Sequence, residues 1–186
     1  MKHLALAFTL LLSLVALAQT PEEMNAWEAY MTPSENHRWL ASYDGEWAAK
    51  VKMWTNPKQP PTESTASSVN KMIYNGLYQH SAHQGEIMGM PFEGQSITAY
   101  DNAKKTFIST WIDNMGSGIM VMEGQYDPKT RTMELDGEMV DPITNSPVKV
   151  KEVITYDSDN SYKFEMYTIM DGKKVKTMEI VYTRKK

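Results

Sequence analysis

The residues with most chemical reach stand in Trp111-Ile112-Asp113-Asn114, where an indole and a carboxylate are two positions apart. In a strand, residues two apart share a face, so Trp111 and Asp113 would meet near one end of it. Turned inward, they would offer a stacking surface beside a charge-assisted hydrogen bond to a ligand. Turned to local use, Asp113 would close the next turn through Asn114 and Gly116 while Trp111 fills the core. Glu152 is the second such position. It interrupts an apolar face of Val148, Val150, Ile154 and Tyr156, with Lys149 and Lys151 on the other side. A carboxyl on an apolar face is costly to bury unless it is partnered. Glu152 therefore marks a pocket acid or an internal structural pair, unless this face is the wet one.

No Ser-His-Asp order, nucleophile elbow, His-Glu-x-x-His helix or phosphate loop occurs. Gly116-Ser117-Gly118 reads as a turn. Glu93 and Asp113 are a carboxylate pair that could act as acid and base, but nothing in their spacing selects them, and no residue is assigned a catalytic role. His80 and His83 are three apart on a strand-like segment, hence on opposite faces, and cannot share an ion from regular β geometry. His37 stands apart, next to Arg38. Met88 with Met90, and Met120 with Met122, each aim two thioethers at one side of a strand. Soft sulfur suits Cu(I), yet Met is also a flexible filler of cores and apolar pockets. No metal site and no cofactor are expected.

The elements that hold these residues follow from the chain's order. Met1-Lys2-His3 precedes an apolar run from Leu4 to Leu17 that ends in Ala16-Leu17-Ala18. This pattern predicts a cleaved secretory signal over residues 1–18, too short for a membrane anchor. An exported protein, periplasmic or extracellular, is the expectation, without stable membrane insertion after cleavage. There is no cysteine, which removes a lipid anchor, a disulfide framework, a thiolate nucleophile and Cys-ligated zinc together. The formal charge of −4, without a basic block, argues against nucleic acid or an anionic membrane surface as partner.

Residues 19–45 read as a helical cap. Thr20-Pro21-Glu22-Glu23 and Thr32-Pro33-Ser34-Glu35 each combine a capping Thr, Pro at the first helical position and Glu three residues after the cap. They predict helices over 21–31 and 33–42, with Trp27, Tyr30, Trp39 and Leu40 facing one end of the body that follows. Over residues 46–186 the hydrophobic period becomes two and turn signals recur about every ten residues, as in β sandwiches and barrels. Strands are clearest over 47–54, 106–113, 130–140, 148–156, 161–170 and 174–183. The pattern is mostly β, best met by a single antiparallel up-and-down barrel of about ten strands with the helices capping one end. A two-sheet sandwich is the alternative.

Gly45-Glu46-Trp47 stands where helix gives way to strand, and Arg184 ends the last strand. This resembles the Gly-x-Trp and terminal Arg arrangement of lipocalin-like (calycin) barrels, which implies that Trp47 plugs the barrel floor and Arg184 lies across it. Some ten-stranded barrels of this type hold haem through a His on a late strand. No His follows position 83 here, so that route is disfavoured. Asp44-Gly45-Glu46-Trp47, Gly89-Met90-Pro91-Phe92-Glu93-Gly94, Ser109-Thr110-Trp111-Ile112-Asp113-Asn114-Met115-Gly116 and Met178-Glu179-Ile180-Val181-Tyr182-Thr183-Arg184-Lys185 are also similar to an uncharacterised secreted bacterial family catalogued as domain of unknown function 1579. That resemblance implies a fold and no assigned activity.

Three functions fit. The leading expectation is a module that binds a small, largely apolar molecule inside the barrel, with Trp111, Asp113, Met122, Glu152, Phe164 and Met166 as candidate liners. The others are a structural or interaction protein of the cell envelope, and an enzyme using carboxylates at the barrel rim. The oligomeric state is left open.

Overall fold

Thr20 opens the first helix as its type requires. Its hydroxyl accepts the Glu23 N–H at 3.2 Å, and the Glu23 carboxylate accepts the Thr20 N–H at 2.7 Å. The computed structural model describes residues 20–87 and 89–186, so the expected leader and Met88 lie outside the described residues. Helix α1 spans Pro21–Met31 and α2 spans Glu35–Ala41. The second helix starts later than Thr32-Pro33 predicts. The Thr32 hydroxyl instead donates back to the Glu28 carbonyl at 2.6 Å, finishing α1. Ser34 becomes the N-cap, and the buried His37 imidazole takes the part expected of a Glu, accepting the Ser34 N–H at 3.0 Å.

The two helices differ in what they cover. Trp27 and Tyr30 were expected over the barrel end, yet α1 buries no residue and both rings stay exposed. Its last turn is held from outside, where the Asn102 amide lies within 3.2 Å of the carbonyls of Ala29, Tyr30 and Thr32. The cap is α2 alone, through His37, Trp39 and Leu40.

Ten strands follow: β1 Gly45–Met53, β2 Thr62–Ile73, β3 Tyr78–Ile87, β4 Met90–Asp101, β5 Thr106–Asp113, β6 Met120–Asp127, β7 Thr132–Asp141, β8 Ser146–Ser158, β9 Ser161–Met170 and β10 Lys173–Arg184. Each pairs antiparallel with its chain neighbours, and β1 pairs with β10 from Trp47↔Arg184 to Met53↔Met178. The sheet therefore closes into one barrel with no free edge, and the two-sheet alternative falls away. Three hairpins share one device: Asp101, Asp127 and Asp141 each accept the N–H two residues on, and Lys105, Arg131 and Asn145, four residues after each Asp, turn left-handed.

Inward-facing rings seal the helix end. Trp39 stacks on Tyr126 with centroids 4.1 Å apart, Tyr162 stacks on Tyr182 at 4.5 Å, and Trp47 meets Tyr162 edge-on at 4.8 Å. The Tyr43 carbonyl accepts both the Trp47 indole N–H and the Asn70 amide at 3.1 Å, tying floor to wall. In β10 the register slips between Lys176 and Met178. Lys176 pairs with Tyr167 on the outer face, whereas Met178 pairs with Met166 on the inner one, so this bulge at Thr177 keeps an ammonium out of the barrel. Outside, Lys176 bonds to Glu165 and Glu179.

Candidate functional site

Above the aromatic floor the barrel is hollow. A cavity of about 460 Å³ runs from Leu40 and Tyr43 to the far end, where Met90 and Met115 are half exposed. This volume is in the range of small-molecule sites. All six candidate liners face it: Trp111 and Asp113 from β5, Met122 from β6, Glu152 from β8, and Phe164 and Met166 from β9. Two-residue parity puts them there once closure fixes which face is inside.

At the far end, both sequence readings of Asp113 hold at once. Its Oδ2 accepts the Trp111 indole N–H at 2.6 Å, and its Oδ1 accepts the Met115 N–H at 2.8 Å. The carboxylate thus closes the hairpin and fixes the indole beside the cavity. Gly94 makes room for that indole, since a Cβ there would stand 2.6 Å from Trp111 Cζ2. His83 meets the ring edge-on at 5.1 Å, and Phe92 lies parallel to it at 6.2 Å.

Glu93 does not join this group. It is exposed on the outer face of β4, while Gly94, the partner of Asp113, faces in. The Glu93–Asp113 acid–base pair is therefore separated by the sheet, because adjacent strand residues point to opposite sides. His80 and His83 divide as expected: His80 stands outside, 3.1 Å from Gln95 Oε1, and His83 inside. Met120 and Met122 both face the cavity. Among the described residues no three His, Asp or Glu side chains cluster to hold a metal ion.

Glu152 is the outlying polar group. It is buried among Leu135 and Val150, both nearly inaccessible, and Met166, and its carboxyl forms no hydrogen bond with any described residue. Burial pushes its pKa up to about 7. His83 moves the other way, to about 4, because burial and then the nearby His80 disfavour its cation. The phenols of Tyr156 and Tyr182 are driven well above their ordinary value, chiefly by burial.

The interior has two unlike walls. On β6 to β10, Glu152 apart, it is chiefly apolar, with Met122, Met133, Ile154, Phe164, Met166, Met178 and Ile180. On β3 to β5, below the rings of Phe92 and Trp111 at the far end, it carries Gln79, Ser81, His83, Ser96, Thr98 and Ser109. Sequence reasoning missed this second wall, because β3 and β4 set no apolar face against a polar one: in β4 Ser96 and Thr98 turn inward while Ile97 is exposed. The position of Ser109, two residues before Trp111 and so on the same face, was the available signal.

The family model described as Protein of unknown function (DUF1579) matches residues 32–184. No curated protein matches the chain. Among solved structures, Rv2717c from M. tuberculosis is similar with a TM-score of 0.59 and 13% sequence identity, over 83% of this chain and 100% of that one. The S-type phycobiliprotein lyase CPES from Guillardia theta is similar with a TM-score of 0.55 and 10% identity, over 86% and 97%. Likeness at such identities concerns the fold alone.

Proposed function

The chain belongs to the DUF1579 family of proteins of unknown function, and from its barrel we propose a binding module for a small, largely apolar molecule. The observation that carries this reading is the hollow interior above a sealed floor, lined by thioethers and rings. A protein that needed the barrel only as a scaffold would gain by filling this space, since each void forfeits packing energy. Met side chains adapt to varied apolar shapes, and the hydroxyl wall supplies the few polar contacts that orient a ligand. Trp111 and Asp113 stand at the entrance, and Glu152, Phe164, Met122 and Met166 further in. The reading includes export, supported by the apolar run that ends in Ala16-Leu17-Ala18. Mass spectrometry of the protein from its source should then find Gln19 as the first residue.

Titration with Nile red, a neutral apolar dye, tests the binding itself. One saturable site with a blue-shifted emission is expected, and native mass spectrometry should show one dye per chain. Emission that never departs from that of dye in buffer would remove the reading.

A second reading, docking of a protein partner on α1, is favoured by one observation: Met24, Trp27, Tyr30 and Met31 are all exposed on that helix. A photo-crosslinker at position 27 should then trap one discrete product in the source envelope. Recovery of uncrosslinked monomer alone would set this reading aside.

A further inference from the structure

The cavity's charged groups say more about its ligand than its volume does. Asp113 and Glu152 line it, and among the described residues no Lys or Arg does. Two basic side chains of β10 are held away from it. The bulge at Thr177 turns Lys176 outward to Glu165 and Glu179. Arg184 lies over Trp47 and donates to the carbonyls of Ser42, Asp44 and Asp159. Asp113 already accepts two hydrogen bonds, whereas Glu152 accepts none and is 7% exposed.

Resting on the reading of the barrel as a binder, we propose that its ligands are lipophilic cations, amines whose ammonium pairs with Glu152 while the apolar body lies along Met122, Met166 and Phe164. An anionic amphiphile would bring a second negative charge into a space where water screens poorly and no cation answers it. A neutral ligand leaves the Glu152 carboxyl without a charged partner. An ammonium meets the carboxylate in a charge-assisted hydrogen bond, in a cavity that the rings of Tyr162, Tyr182 and Phe164 also line. A carboxyl whose pKa stands at about 7 also releases its proton to water near neutral pH once such a cation lies beside it.

Three probes of equal length separate the possibilities by displacement of bound Nile red below their micelle concentrations: decylamine, decanol and decanoate. Decylamine should compete at roughly tenfold lower concentration than decanol, the gain of one charge-assisted contact, with decanoate the weakest. Glu152→Gln should bring decylamine to the level of decanol, both measured on that variant. Should that variant not fold, Glu152→Met, which matches its thioether neighbours in shape, is expected to give the same result. Decylamine no better than decanol, or decanoate the strongest, would overturn the cation preference and leave the binder reading standing. Failure of Nile red and decanol to bind at all would end both. The comparison on the unaltered protein needs no variant.

Discussion

The Arg184 guanidinium lies over the Trp47 indole, its carbon 4.3 Å from the ring centroid, and so joins the last strand to the first. The same group donates to the Ser42 and Asp44 carbonyls that end the helical cap. One side chain therefore fastens floor, cap and barrel seam. Gly45 is part of the joint, because its φ of +124° suits glycine and a Cβ there would approach Arg184 Nη1 to 3.0 Å. Arg184→Lys keeps the charge but loses the planar donors, and should cost about 2 kcal/mol. A urea midpoint equal to that of the unaltered protein would show that the joint is idle.

Strands β6 and β7 approach closely at two glycines. A Cβ on Gly124 would stand 1.9 Å from the Glu134 carbonyl oxygen, and one on Gly137 would stand 2.4 Å from that of Val121. Backbone cannot yield there as a side-chain end can. Gly124→Ala is expected to destabilise the barrel by about 3 kcal/mol. Gly116→Ala, which meets nothing within 4 Å, should change stability by less than about 0.5 kcal/mol. Equal unfolding midpoints for the two variants would contradict the close approach.

The parity of β8 and β9 was legible because each sets an apolar face against a polar one, and this is why Glu152 stood out in the sequence. Glu93 against Asp113 was not resolved. Spacing along one chain does not say which residue of β4 meets β5 on which side, whereas the register Gly94↔Asp113 does. Ser81, Ser96, Thr98 and Ser109 were invisible for a related reason: a hydroxyl facing a cavity and a hydroxyl facing water have the same residue type. The two helices were read close to their bounds, but α1 covers none of the barrel end, and Thr32 and Ser34 compete as caps, the winner set by the buried site that receives His37.

Gly94 sets the position of the Trp111 indole. A methyl added there must push the ring, which has the cavity before it, while Asp113 holds the indole N–H. Gly94→Ala should therefore leave the fold intact and weaken Nile red binding by roughly tenfold, the effect of a methyl group in an apolar pocket. Unchanged affinity would place the indole outside the path of the ligand.

His83 and Glu152 sit on β3 and β8, five places apart in the ring of ten strands, and their titrations oppose each other. Glu152 has a folded-state pKa of about 7 against an ordinary 4.5, so between these values the folded state keeps a proton that the unfolded chain has released. Its contribution to stability falls as pH rises through that window, by about 3 kcal/mol in all. His83 has a folded-state pKa of about 4 against 6.5, so there the unfolded chain keeps the proton, and its contribution rises with pH by a similar amount. The neighbouring phenols of Tyr156, Tyr162 and Tyr182 are all pushed up by burial and stay neutral throughout. Between pH 4.5 and 6.5 the two effects cancel. Relative to the unaltered protein, the stability of Glu152→Gln should climb with pH across this window, and that of His83→Gln should fall. Urea unfolding at half-unit steps would read the slopes directly, and three parallel curves would show that neither group is shifted by its burial.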